Sequence, residues 1–368
     1  MTKQDEFSFI SLYRALAATL VMWDHLVGFW LSNYKIHWAP NRFIEQYVTD
    51  PMQIMHHFGF FAVVLFFLIS GFIITHIAQR ETRGEFIIKR IFRIYPPLIV
   101  YCILSYAIFS VLNQILNVQA YFTTFSFQDI VENALLINFF QDVQVVPLGV
   151  TWTLIIEVVF YALCAILFKP LQNRPVVTMS TLSLFCLVIT WSPFGFGNAY
   201  ANFAITVSYV PYLLFGQCLY YFYSKRISGY TFTFFTIANY FVVVSTGLKI
   251  HGELSGPNSL FIVSFFYAYA LFVIGLLTNH KIKNGRIINF LATISYSVYL
   301  IHDHVGAFIL DQLHRHIGYT VSLVIAVAVV ILLSYLSYRF VEGPARKAAR
   351  WIIQSGRTRR GTAVTHNE

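Results

Sequence analysis

The chain has 368 residues, of which 57% are apolar, 18% aromatic and only 11% charged, against about 25% charged in a typical soluble domain. So little charge cannot clothe a water-facing surface, which excludes an ordinary soluble enzyme and calls for lipid around the protein. The formal net charge of +9 does not mark a nucleic-acid binder, because Lys and Arg lie in short stretches between apolar runs, as membrane topology requires.

Crossing a hydrocarbon core takes about 20 mostly apolar residues. Such runs lie near 9–32, 57–78, 94–115, 148–168, 176–192, 203–223, 231–248, 258–279, 288–310 and 319–340. They predict an all-α polytopic membrane protein, a bundle of about ten transmembrane helices. No internal repeat and no Gly/Ser-rich linker divides it. With the N-terminus in the cytoplasm, Lys35, Arg42, Lys249 and Arg315 fall outside and the other 21 of the 25 basic residues fall inside. The positive-inside rule therefore places both termini in the cytoplasm. The expected division is a membrane domain over 1–345 and a basic cytoplasmic tail over 346–368, drawn to anionic lipid. The first run is not read as a cleaved signal, because it holds Arg14, Asp24 and His25. Cys102, Cys164, Cys186 and Cys218 lie in or at the edge of apolar runs without metal spacing. They read as small hydrophobes, with no disulfide expected.

Ionisable groups inside a span are costly and mark function by default. In the first helix Arg14 and His25 are eleven residues apart. That is three turns plus about 20°, so they share a face with about 16 Å between them along the axis. Asp24, about 100° from His25, is open as its partner. The bland alternative is an Arg14 that snorkels and a His25 that only packs. The second helix carries Ser70-Gly71-Phe72, where the glycine permits close helix approach or passage of a thin ligand. Arg90 and Arg93 begin the third at i, i+3 spacing, a pair of guanidinium forks suited to phosphate. The 116–147 outer loop has no Lys or Arg and carries Asp129, Glu132 and Asp142.

In the fourth helix Thr153, Glu157 and Tyr161 form an i, i+4 polar stripe beside Trp152. A carboxylate there must be protonated or paired. In the ninth, Tyr299 and His302 share a face within Ile294–His304. His56, His57, His314 and His316 read as surface or interface residues, and no histidine spacing is specific enough to predict a metal.

Together these residues resemble acyltransferase family 3, the membrane acyltransferases that modify bacterial surface sugars, secreted polysaccharides and some antibiotics. The resemblance rests on Arg14-x10-His25, Phe66 to Phe72, Arg90 to Pro96, and Trp152-x-Leu-x-x-Glu157 with Phe160-Tyr161. Ser295 to His302 and Arg339-x-x-Glu342-x-Pro344 complete it, all in family order. The resemblance implies about ten spans, a cytoplasmic acyl-CoA donor and a multi-pass protein of the bacterial inner membrane. It implies His25 as the catalytic residue, Arg14 as its motif partner, Arg90 and Arg93 as contacts of the coenzyme end, and Glu157 as a functional acid. The acceptor it implies is a carbohydrate hydroxyl, on a lipid-linked or surface glycan such as O-antigen, exopolysaccharide or lipo-oligosaccharide. Some relatives carry an additional extracytoplasmic domain after the membrane part, whereas this chain ends shortly past Pro344. Acceptor handling is therefore expected from the membrane domain or a partner.

The expected chemistry is acyl transfer, most simply acetyl, with His25 as general base and Asp24 or Glu157 orienting its ring. Ser70, Trp152, Tyr299 and His302 are expected at the substrate, and Tyr299, Trp152 or backbone N–H groups at the oxyanion. No cofactor is expected to stay bound, since acetyl-CoA is a substrate, and a homo-oligomer is compatible with the sequence. A transporter or flippase using Arg14, Asp24, His25 and Glu157 as a relay is the competing reading. It lacks the inverted repeat such folds often show.

Overall fold

Each of the ten apolar runs centres on a helix in the computed structural model, which describes residues 7–54, 56–116, 125–192, 196–251 and 259–364. No strand occurs among the described residues. In chain order the main helices are α1 (Ser8–Tyr34), α2 (Gly59–Ala78), α3 (Arg83–Leu116), α4 (Phe127–Ala134), α5 (Thr151–Ile166) and α6 (Pro175–Trp191). There follow α7 (Asn198–Tyr223), α8 (Gly229–His251), α9 (Ser259–Thr278), α10 (Arg286–Ile317), α11 (Tyr319–Ser337) and α12 (Gly343–Val364).

Seven helices among the described residues are long and apolar enough to cross a membrane: α1, α2, α3, α7, α8, α9 and α11. The ten expected runs do not all meet that standard, for two physical reasons. Helices α5 and α6 are apolar but have only 16 and 17 residues. Helix α10 has 32 residues, ample length at about 1.5 Å per residue, but its second half carries His302, Asp303, His304, Asp311 and His314. The chain is a polytopic helical membrane protein. Large apolar side chains stay exposed along its flanks, as in Ile103, Leu104, Ile108 and Val111 of α3, the surface expected to face lipid.

Burial sorts the helices into a centre and a rim. The apolar windows of α2 and α7 are 78% and 83% buried, that of α3 only 22%. The two central helices cross at paired glycines. A Cβ on Gly71 would strike the backbone carbonyl of Leu213, and one on Gly216 would strike Leu68 and Phe72 backbone. Of the two uses expected for Gly71, the structure shows close helix approach. Gly71→Val therefore forces apart two backbones that have no flexible side chain to yield. Overpacking of this kind costs about 1–3 kcal/mol. The variant is expected to lower the thermal midpoint of the detergent-solubilised protein, whereas Gly229→Ala, with open space around it, leaves the midpoint unchanged.

Helix α1 packs against α2 and α10. Gly306 of α10 admits Leu26, and Gly275 of α9 admits the Tyr13 ring. Midway, α1 changes gauge: Asp24–Phe29 is a π-helical turn, a feature that concentrates at functional sites. A second π turn, Tyr338–Glu342, joins α11 to α12. The boundary expected at 345 falls inside α12, whose Ala345 and Ala349 are buried. The basic segment past it is thus a helix that runs to residue 364 and packs on α3, and the last four residues lie outside the described ones. The acids of the 116–147 loop have structural duties, with 117–124 outside the described residues. Asp129 forms a capping box with Ser126 at α4, Glu132 accepts from Gln128 and Gln141, and Asp142 accepts from the Ala199 amide.

Candidate active site

The π turn of α1 presents His25 to α10. His25 Nδ1 lies 3.1 Å from Asp303 Oδ1, a hydrogen bond in which the imidazole N–H donates to the carboxylate. That bond leaves Nε2 as the acceptor nitrogen. The carboxylate bonded to His25 is thus that of Asp303, while Asp24 and Glu157 make other contacts. Asp24 instead packs on Gly59, the first residue of α2, where a carboxylate meets the positive end of the helix. The side chains of His25 and Asp303 keep 29% and 24% of their surface exposed, so the pair is open to a small reactant.

A second imidazole stands edge-on to the first, with the rings of His25 and His302 4.9 Å apart. His302 is fully buried. Its Nδ1 donates to the Val298 carbonyl at 2.9 Å, and its Nε2 has no hydrogen-bond partner. His304 is buried on the far side of the acid, its Nδ1 3.8 Å from Asp303 Oδ2. One turn before His302, the Tyr299 hydroxyl lies 2.6 Å from Thr153 Oγ1 and donates to the Val150 carbonyl at 3.1 Å.

The polar stripe of α5 is realised. Thr153 and Glu157 line a narrow cavity with Ser70, Phe66, Leu154 and Tyr299. Glu157 accepts from the Ser70 hydroxyl and, at 3.1 Å, from the Tyr161 hydroxyl, so the carboxylate is paired. Trp152, about 100° around the helix from this face, turns to Tyr209 of α7, rings 5.2 Å apart. It lines neither this cavity nor the next one described.

Arg14, Arg93 and Tyr296 line the narrow cavity at one end and also belong to a second, wider one of about 670 Å³. Arg14 donates to Ser295 Oγ at 3.1 Å, so the shared face of Arg14 and His25 is spent on α10, at Ser295 and at Asp303. The wide cavity is lined by six basic side chains: Arg14, Lys89, Arg90, Arg93, Arg346 and Arg350. Its one carboxylate, Glu342, accepts from Ser297. Arg90 is 9% exposed, with Nε and Nη1 unpartnered and its guanidinium 5.7 Å from the Phe86 ring. Among the described residues no group of three or more His, Cys, Asp or Glu is placed to hold a metal ion.

The helices thus gather an imidazole–carboxylate pair and, apart from it, a cationic cavity, and His25 and Asp303 line neither this cavity nor the narrow one. Over residues 7–339 the chain matches the family model described as "Acyltransferase domain", and it belongs to acyltransferase family 3. It is therefore an integral-membrane acyltransferase. It is similar to an O-acetyl transferase of Shigella phage Sf6, 24% identical over 298 residues that span 77% of this chain and 84% of that protein. No solved structure matches it.

Proposed function

We propose that the chain moves an acetyl group from cytoplasmic acetyl-CoA to a hydroxyl of a lipid-linked or surface glycan, as a ten-span inner-membrane protein with both termini cytoplasmic. The observation that carries this reading is that the two cavities adjoin, sharing Arg14, Arg93 and Tyr296 in their linings. A wide cationic chamber suits the phosphate-bearing end of the donor. The narrow cavity, of about 60 Å³, is the route its thin pantetheine arm would take on widening, and its lining includes Tyr299, whose ring lies 5.9 Å from that of His302.

In the proposed step His25 Nε2 takes the proton of the acceptor hydroxyl as its oxygen attacks the thioester carbonyl carbon. A C–O bond forms, the C–S bond breaks, and the departing thiolate takes the proton back from the imidazolium. Asp303 stabilises that imidazolium. Arg14, Arg90 and Arg93 hold donor phosphates, and Ser70 and Tyr161 hold Glu157 beside the path of the arm.

The test supplies membranes with acetyl-labelled acetyl-CoA and a candidate glycan. Transfer of label to the glycan, matched by a gain of one acetyl mass on the surface glycans of cells that express the protein, is the expected result. Glycans of unchanged mass, together with solute uptake that depends on the protein, would overturn it in favour of transport.

A further inference from the structure

The wide cavity has two basic walls supplied by distant parts of the chain. Lys89, Arg90 and Arg93 come from α3, while Arg346 and Arg350 come from α12, which lies beyond the residues matched to the family model. Arg346 and Arg350 are four residues apart and so project from one face of α12. The neighbouring face, Ala345 and Ala349, is buried, and its small side chains let α12 lie close to α3. At its far end Arg357 pairs with Glu85. Glu85 is itself fixed at the start of α3, where it accepts from the Thr82 amide at 3.2 Å and its own amide donates to Thr82 Oγ1 at 3.4 Å.

Topological charge alone requires basic residues on this side of the membrane, not their convergence on one chamber. Arg350 makes no hydrogen bond or ion pair among the described residues. Arg346 is held 4.9 Å over the Tyr338 ring and 3.9 Å from Glu342. With Arg90 buried and two of its nitrogens unpartnered, the chamber holds far more positive charge than its own acid answers. That excess fits a ligand with several phosphate charges.

We propose that α12 is the second jaw of the donor site, and that Arg346 and Arg350 grip the ribose phosphate at the nucleoside end of coenzyme A. This rests on the acetyl-CoA reading above. The assignment to that phosphate follows from position. Arg14 and Arg93 belong to both cavities and so stand near the diphosphate that precedes the arm. Arg346 and Arg350, like Lys89 and Arg90 on the facing wall, line the wide cavity only, away from the narrow one that would take the arm.

The test compares acetyl-CoA with 3′-dephospho-acetyl-CoA as donors for the full-length protein in membranes. The wild type is expected to show a KM about tenfold lower for acetyl-CoA, the equivalent of one charge-assisted contact. In Arg346→Gln/Arg350→Gln the KM for acetyl-CoA rises to that of the dephosphorylated donor, kcat stays within about twofold, and the dephosphorylated donor is unaffected. Lys347→Ala, on the same helix but outside the cavity lining, behaves as wild type. Arg350→Gln alone removes no intramolecular partner, and a partial loss of preference in it secures the result if the double variant folds poorly. A donor preference unchanged in both variants, or a wild type that uses the two donors equally, overturns the second jaw and leaves the function standing. A wild type that accepts neither donor overturns the donor reading itself.

Discussion

Membranes bearing His25→Ala are expected to transfer acetyl groups about 10²–10⁴-fold more slowly than wild type, the scale of losing a positioned general base, while still binding acetyl-CoA. The prediction turns on choosing between two imidazoles whose rings are 4.9 Å apart. A base must accept a proton and then survive as a cation. His25 forms its imidazolium against Asp303 at 3.1 Å, whereas the Nδ1 of His302 faces a neutral carbonyl, Val298. His25 also keeps 29% of its side chain exposed, while His302 is sealed. His302→Ala is accordingly expected to cost less than His25→Ala, by way of a cavity beside the catalytic ring. The reverse order, a dead His302→Ala and an active His25→Ala, would move the base to α10. Donor binding measured alongside separates lost chemistry from lost fold.

Much of this arrangement is legible in the sequence because membrane burial makes polar residues conspicuous. Arg14, His25 and Glu157 stand out inside apolar runs, and helical spacing alone puts Thr153, Glu157 and Tyr161 on one stripe, where the structure has them. The apolar runs themselves locate the helices, though α5 and α6 turn out short and α10 polar. What escapes such reading depends on contacts between helices. Asp303 is visible next to His302, yet nothing in α10 says that it turns to α1. The π turn at Asp24–Phe29 has no sequence signal; ordinary helix geometry already divides Asp24 from His25, but only packing shows that one meets α2 and the other α10. Trp152 sits one position off the polar face, and only the packing of α7 shows where it goes. The α12 wall has a signal that topology obscures: Ala345 and Ala349 repeat at four residues, and so do Arg346 and Arg350. Such a pattern belongs to a docked amphipathic helix more than to a charged tail.

Asp303→Asn is expected to lower kcat by about 10²–10⁴-fold with the KM for acetyl-CoA changed by less than about threefold, because the substitution alters the state of the base and not the donor path. Asparagine is nearly isosteric, so the contact with His25 persists, but two things change. The imidazolium formed during transfer loses its counter-charge, and the amide can donate to Nδ1, which moves the imidazole proton to Nε2, the nitrogen that has to accept. Asp24→Asn provides the comparison. Its carboxylate lies against Gly59 at the head of α2, and loss of a charge at a helix N-terminus costs about 0.3–1 kcal/mol of stability without touching the tautomer of His25. A small fall in thermal midpoint with near-normal kcat is expected there. Were Asp24→Asn the variant that lost turnover and Asp303→Asn the one that kept it, the α1–α10 pair would be a packing contact, and the acid that serves His25 would lie on its own helix.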